Sequence, residues 1–137
     1  MYIVKRSEKI TETLQLQVND GTKKNIDITV DVDLIASEFV KRREIFLSAQ
    51  RKMIALQKAG RKDGFENTYI EYGEALIDFF AVVFGKENTL AIADFFDDSY
   101  IEMMIQLFPF INERIVPAIK RSVGYTKKQL AKQWRIR

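Results

Sequence analysis

A change in the spacing of apolar residues near position 31 constrains the fold most strongly. In residues 12–31, apolar and polar residues alternate on both sides of Asn19-Asp20-Gly21. From there to about residue 124, apolar residues recur every three or four positions. Alternation around Asp-Gly is typical of a β-hairpin, and the longer period is typical of amphipathic helices. We predict a mainly α (α+β) fold: an N-terminal hairpin (about 12–31), a bundle of three long helices and one short helix, and a basic C-terminal tail.

Helix-start residues and glycines set the expected helix bounds. A first helix is expected from about Leu34 to Ala59, with Asp31 or Asp33 accepting amide hydrogens of its first turn. Gly60 then suits the position just after the helix end. Later helices are predicted over about 66–84, 89–96 and 100–124.

Three residues before the last helix, and a proline inside it, give further expectations. Asp97, Asp98 and Ser99 are predicted to cap its start. Pro109 lacks an amide donor and clashes one turn back, so a kink is expected near Ile105.

Composition favours one globular, non-catalytic domain. The chain has 137 residues, of which 47% are hydrophobic and 30% charged, as in ordinary globular domains. We assign residues 1–124 to a single domain and 125–137 to a basic tail.

The chain has no His and no Cys, so thiolate nucleophiles, zinc–thiolate sites and the commonest general base are excluded. The longest apolar run is too short for a membrane span, and no secretory leader is apparent, so a cytoplasmic location is expected.

Charge is distributed in blocks along the chain. Eight basic residues lie between Lys41 and Lys62, nine acids between Glu66 and Glu102, and seven basic residues between Lys120 and Arg137. Such blocks indicate complementary surfaces, within the fold or between copies. We hypothesise that residues 66–102 present acid to the basic face of 41–62 on a neighbouring copy. The candidate interaction residues are Lys41, Arg42, Arg43, Glu71, Glu74 and Asp78.

No motif for catalysis or cofactor binding stands out. Asp94, Asp97, Asp98 and Glu102 form the densest carboxylate group, but their spacing is not that of an EF-hand, and helix capping explains them better. Glycine-rich phosphate loops and serine-centred elbows are absent. We therefore expect no catalytic residue, no metal and no cofactor.

Two further features leave alternatives open. Phe110 lies roughly opposite the apolar stripe of its helix. If its side chain is exposed, it would anchor a partner. If the side chain is buried, which is the alternative we favour, it would fill the bend at Pro109. The tail residues Lys127, Lys128 and Trp134, together with Lys41–Arg43, are able to contact phosphates and bases. A small nucleic-acid-binding regulator is thus the alternative function, although no known reading motif accompanies these residues.

Residues from about 70 to 125 carry a recognisable pattern. It consists of Tyr72-Gly-Glu-Ala-Leu-Ile-Asp-Phe-Phe, Val83-Phe-Gly-Lys-Glu-Asn-Thr, Phe95-Phe-Asp-Asp-Ser-Tyr-Ile-Glu-Met-Met, Phe108-Pro-Phe-Ile and Val116-Pro. This pattern resembles the tail assembly chaperones of long-tailed (siphovirus-type) bacteriophages of Gram-positive bacteria.

The resemblance implies a binding protein without enzymatic activity. Such a protein acts in the host cytoplasm and is absent from the mature virion. It binds the long, helical tape measure protein, keeps it soluble and recruits the major tail (tube) protein around it. The resemblance also implies a homo-oligomer.

Overall fold

The computed structural model describes residues 1–4, 9–60 and 62–124. Over this part of the chain the fold is mainly helical, with an N-terminal antiparallel hairpin, as predicted. The last α-helix is followed without a break by a π-helix and by further α-helix over 116–124. The elements in chain order are β1 (Lys9–Gln17), β2 (Lys23–Asp31), α1 (Val32–Lys58), α2 (Phe65–Phe84), α3 (Lys86–Phe95), α4 (Tyr100–Phe110) and the π-helix (Ile111–Ile115).

The hairpin pairs β1 with β2 in a register that runs from Lys9 opposite Asp31 to Gln17 opposite Lys23. Gly21 has a φ of 91° in the connecting turn, a value that a residue without Cβ adopts freely. β1 begins three residues before the predicted bound of 12, and β2 ends at residue 31, as predicted. One face of the sheet is apolar and packs on the helices, with Ile10, Leu16, Ile26, Ile28 and Val30 buried.

α1 begins two residues before, and ends one residue before, the bounds that its sequence predicts. The side chain of Asp31 accepts a hydrogen bond from the backbone N–H of Leu34 at 3.4 Å, so Asp31 rather than Asp33 is the N-cap. At the other end Gly60 has a φ of 65° and donates its N–H to the Gln57 carbonyl. The helix has 27 residues and is therefore about 40 Å long.

α2 is the central helix and packs against α1, α3 and α4. Its buried aromatic rings meet those of α1 and α4: Phe79 lies 5.2 Å from Phe39, 5.9 Å from Phe46 and 6.3 Å from Phe108, centroid to centroid. Tyr72 completes the cluster at 5.3 Å from Phe46. These contacts place α2 at the centre of the core.

The junction of α2 and α3 ties the helices to the hairpin. Gly85 has a φ of 85° and separates the two helices. The Asn88 side-chain amide donates to the Phe84 carbonyl at 3.0 Å and to the Asp27 carbonyl of β2 at 3.4 Å. The Phe-Gly-Lys-Glu-Asn-Thr segment of the sequence therefore fixes β2 against the end of α2.

The prediction that Asp97 and Asp98 cap α4 is wrong. Both residues have positive φ angles, of 51° and 58°, and form a left-handed turn between α3 and α4. Asp is among the few residues other than Gly that tolerate this conformation. Ser99 occupies the N-cap position, but its side chain makes no capping hydrogen bond.

The structure has no interruption of α4 near Ile105, where the sequence predicted a kink. α4 is regular through Ile105 and Pro109, and the change comes at Ile111–Ile115, where the backbone N–H of Val116 bonds the carbonyl of Ile111, five residues earlier. Pro117 follows directly and has no N–H to continue the ladder. The irregularity therefore lies between the two prolines, in the form of a single π-helical turn.

Candidate protein-interaction surfaces

The acidic face of α2 lies beside the basic side of α1 within one chain. Lys52 Nζ is 3.1 Å from Glu71 Oε2, and Arg42 Nη1 is 4.0 Å from Asp78 Oδ2. Arg42 also pairs with Glu38, one turn earlier, at 3.4 Å. All of these groups are substantially exposed, so each pair contributes less than about 1 kcal/mol. Two of the three predicted acids thus have basic partners inside the same molecule.

The other predicted residues of this charged region differ in burial. Lys41 and Glu74 are exposed, whereas Arg43 is half-buried. Glu74, with Glu71 and Asp78, lines a shallow depression of about 400 Å³ between α1 and α2. The pairing between neighbouring copies stays a prediction, but it would have to compete with the pairs inside each chain.

A second surface was missed by sequence reasoning. Val40, Leu47 and Ile54 follow one another at seven-residue intervals along α1 and therefore share a face. Val40 is 50% exposed, Ile54 is 40% exposed, and Leu47 is half-buried. We call these three residues, with the basic residues that flank them, the α1 stripe; the basic residues are Arg43, Arg51 and Lys58.

These apolar residues have the same seven-residue spacing as Phe39, Phe46 and Met53. In the structure the core-facing residues are Val32, Ala36, Phe39, Phe46 and Met53. α1 therefore carries apolar side chains on two faces. Apolar periodicity alone does not separate a face that packs on the core from one that remains open.

A groove lies along β1. It has a volume of about 830 Å³ and is lined on one side by residues 12–19 and on the other by helix residues. We call it the edge groove. Glu12, Asp97 and Glu102 give it negative charge, and its described lining includes no lysine or arginine. Its apolar helix-side residues are Phe95, Phe96, Leu107 and Phe110.

Phe110 is half-buried, between the two alternatives that the sequence left open. Its ring stacks on that of buried Phe84 at 6.1 Å, and the Arg114 guanidinium lies 6.0 Å from its centroid. Arg114 in turn donates to Glu12 of β1 at 2.8 Å. Phe110 therefore both packs on α2 and contributes an apolar wall to the edge groove.

The acidic cluster of Asp94, Asp97, Asp98 and Glu102 does not form a ligand set. Within residues 1–4, 9–60 and 62–124, no group of three or more acidic side chains is placed to hold a metal ion. The tail candidates Lys127, Lys128 and Trp134 lie outside the described residues. No described helix combines the length and the apolar character needed to cross a membrane.

Two tyrosines have raised pKa values for structural reasons. Burial raises the pKa of Tyr72 to about 12; Tyr69 adds to the rise and the Gln50 side chain opposes it. Burial also raises the pKa of Tyr100, with added repulsion from Asp98, Tyr69 and Glu74. Tyr72 belongs to the core cluster and Tyr100 packs on Tyr69 at 5.7 Å. Both residues stabilise the packing of α2.

Comparison of the chain with protein-family models, with curated proteins and with solved structures found no match. The functional interpretation therefore depends on the surfaces described above and on the sequence pattern.

Proposed function

We propose that this protein is a tail assembly chaperone of long-tailed bacteriophages. In this function it binds the tape measure protein in the host cytoplasm, keeps it soluble and recruits tail tube subunits. The observation that carries the proposal is the α1 stripe, an open apolar face on a helix whose adjacent face already packs on the core.

The α1 stripe has the chemistry that a helical client requires. An amphipathic helix is recognised through side chains at i, i+3, i+4 and i+7, which fit a matching apolar surface. Val40 and Ile54 are fourteen residues apart, so the stripe is about 21 Å long and spans roughly four turns of a parallel helix. The flanking basic residues favour a client helix with acidic residues beside its apolar face.

The proposal is tested by replacing the exposed apolar residues of the stripe. The double variant Val40→Asp/Ile54→Asp should lose the ability to keep a co-expressed tape measure protein in the soluble fraction. Leu34→Asp is the matched control, since Leu34 is 80% exposed on the same helix but lies away from the stripe. It should behave as the unmodified protein. Circular dichroism should show the same helical content in all three proteins.

Two results would contradict this function. If the unmodified chain leaves the tape measure protein insoluble, or if the stripe variant and the Leu34 control act alike, the stripe is not the client site. A DNA affinity that falls steeply with salt, and falls further when Arg43 and Arg51 are replaced by glutamine, would instead favour the nucleic-acid-binding alternative.

A further inference from the structure

The edge groove follows the free edge of the hairpin. Eight consecutive residues, 12–19, line it, and no residue of β2 does. In the described part of the chain the sheet has only the two strands β1 and β2. An uncovered strand edge presents unpaired backbone N–H and C=O groups, which are able to pair with another strand.

The hydrogen-bond alternation identifies which backbone groups face the groove. The N–H of Val18 bonds the carbonyl of Thr22, in line with the register of the strands. Bonded pairs alternate with non-bonded pairs in an antiparallel ladder, so the odd-numbered residues of β1 direct their N–H and C=O away from β2. The Asp27 carbonyl of β2, also at an odd position, points away from β1 and accepts from Asn88. Gln15 and Gln17 thus offer free backbone groups to the groove, whereas the Thr13 N–H donates to the Glu12 carboxylate at 3.0 Å.

The same chain has an exposed segment that suits this edge. Tyr2, Ile3 and Val4 are 93%, 67% and 84% exposed, and all three residue types are enriched in β-strands. Lys5 and Arg6 follow them in sequence. An apolar strand with a basic end complements a groove with aromatic walls and the carboxylates of Asp97 and Glu102.

We propose that residues 2–6 of a second copy of this chain bind in the edge groove as a third strand beside β1. Tyr2, Ile3 and Val4 do not line the groove of their own chain. With only four residues between Val4 and β1, an antiparallel fold-back would bring Tyr2 no further along β1 than Thr13, and would leave Gln15 and Gln17 unpaired. A parallel arrangement within one chain needs a crossover of about a dozen residues or more.

The contact is heterologous, because the segment of one copy enters the groove of the next. Contacts of this type either close into a ring or continue as a helical filament. The inference concerns the chain alone and does not depend on the proposed client, so it is tested without the tape measure protein.

Disulfide cross-linking gives a direct test, because the native sequence contains no cysteine. One preparation carries Ile3→Cys and the second carries Gln15→Cys; a disulfide between them joins two chains by design. The control replaces Gln15→Cys with Asn25→Cys. Asn25 lies directly opposite Gln15 in the hairpin and is equally exposed, but it belongs to β2.

We expect the Ile3–Gln15 cross-link to form at least tenfold faster than the Ile3–Asn25 cross-link under mild oxidation. Equal rates would overturn the proposal. Preferential cross-linking of Gln15→Cys to Trp134→Cys would also overturn it, since the basic tail would then be the occupant.

A backbone-directed variant supplies an independent measurement. Gln15→Pro removes an N–H that points into the groove and takes no part in the hairpin ladder, whereas Gln15→Ala keeps that N–H. Sedimentation equilibrium should show self-association weakened at least tenfold by Gln15→Pro and by less than twofold by Gln15→Ala. Should Gln15→Pro fail to fold, Ile3→Asp replaces it. A chain that is monomeric at all concentrations, or equal effects of Pro and Ala, would refute strand addition.

Discussion

Gly73 occupies a place in the core where a single added carbon changes the packing. A Cβ at this position would lie 2.4 Å from Cε2, 2.6 Å from Cδ2 and 2.9 Å from Cζ of Tyr100. These separations are far below van der Waals contact, so Gly73→Ala must displace the Tyr100 ring. The ring is held by Tyr69, at 5.7 Å between centroids, and it anchors the first residue of α4.

Two opposing contributions set the size of the effect. Alanine stabilises a helix interior by about 1 kcal/mol relative to glycine. Overpacking a well-filled site costs about 1–3 kcal/mol. We expect the second to win and Gly73→Ala to lower the free energy of unfolding by up to about 2 kcal/mol, as measured by urea denaturation followed by circular dichroism.

Measuring Gly73→Ala in a variant without the Tyr100 ring tests whether that ring causes the destabilisation. In Tyr100→Ala the obstructing ring is gone, and Gly73→Ala should then stabilise the protein by up to about 1 kcal/mol. Gly124→Ala is the matched single-site control, because a Cβ at this helical glycine meets nothing within 4 Å. If Gly73→Ala stabilises the unmodified protein, or if its effect is the same in both backgrounds, the close approach of Tyr100 does not explain the glycine.

Three further predictions concern the links between elements. Asn88→Ala should lower the free energy of unfolding by about 1–2 kcal/mol through the loss of its two carbonyl contacts, whereas alanine at exposed Glu87 should change it by less than about 0.5 kcal/mol. Because burial disfavours the ionised form of Tyr72 and raises its pKa to about 12, the free energy of unfolding should fall as pH rises from about 10 to 12, and Tyr72→Phe should flatten that part of the pH–stability curve. Glu12→Gln should cost less than about 1 kcal/mol, because its pair with Arg114 is partly exposed; a larger loss would show that this pair fixes the hairpin on the π-helix.

The sequence predicts those features that depend on local spacing. Alternation around Asp20-Gly21 identifies the hairpin, and Asp31 and Gly60 mark the ends of α1 to within about two residues. Each of these signals acts over a few residues, where backbone geometry and one or two hydrogen bonds decide the conformation.

Other features depend on information that local spacing does not contain. An aspartate suits both a helix cap and a left-handed turn, so the residue type of Asp97 and Asp98 did not distinguish the two. A proline predicts an irregularity but not its form, which here is a π-helical turn between Pro109 and Pro117. The exposure of Val40 and Ile54 follows from which side of α1 receives α2 and the hairpin, and that is decided by the packing of the whole domain.

The sequence also does not determine which surfaces the charge blocks contact. This question bears on how the protein recognises its partners. Blocks of opposite sign fit both an internal interface and contact between copies. The structure pairs Lys52 with Glu71 and Arg42 with Asp78 inside one chain, so part of that charge is already neutralised locally.

The surfaces that remain open are of another kind: the apolar face of the α1 stripe, and the unpaired backbone edge with aromatic walls in the edge groove. Recognition through these surfaces depends on apolar burial and main-chain hydrogen bonds, which salt screens far less than exposed ion pairs. Self-association through the edge groove should therefore weaken only modestly as salt rises from 0.05 to about 0.5 M, whereas association through the charge blocks should be largely lost over the same range.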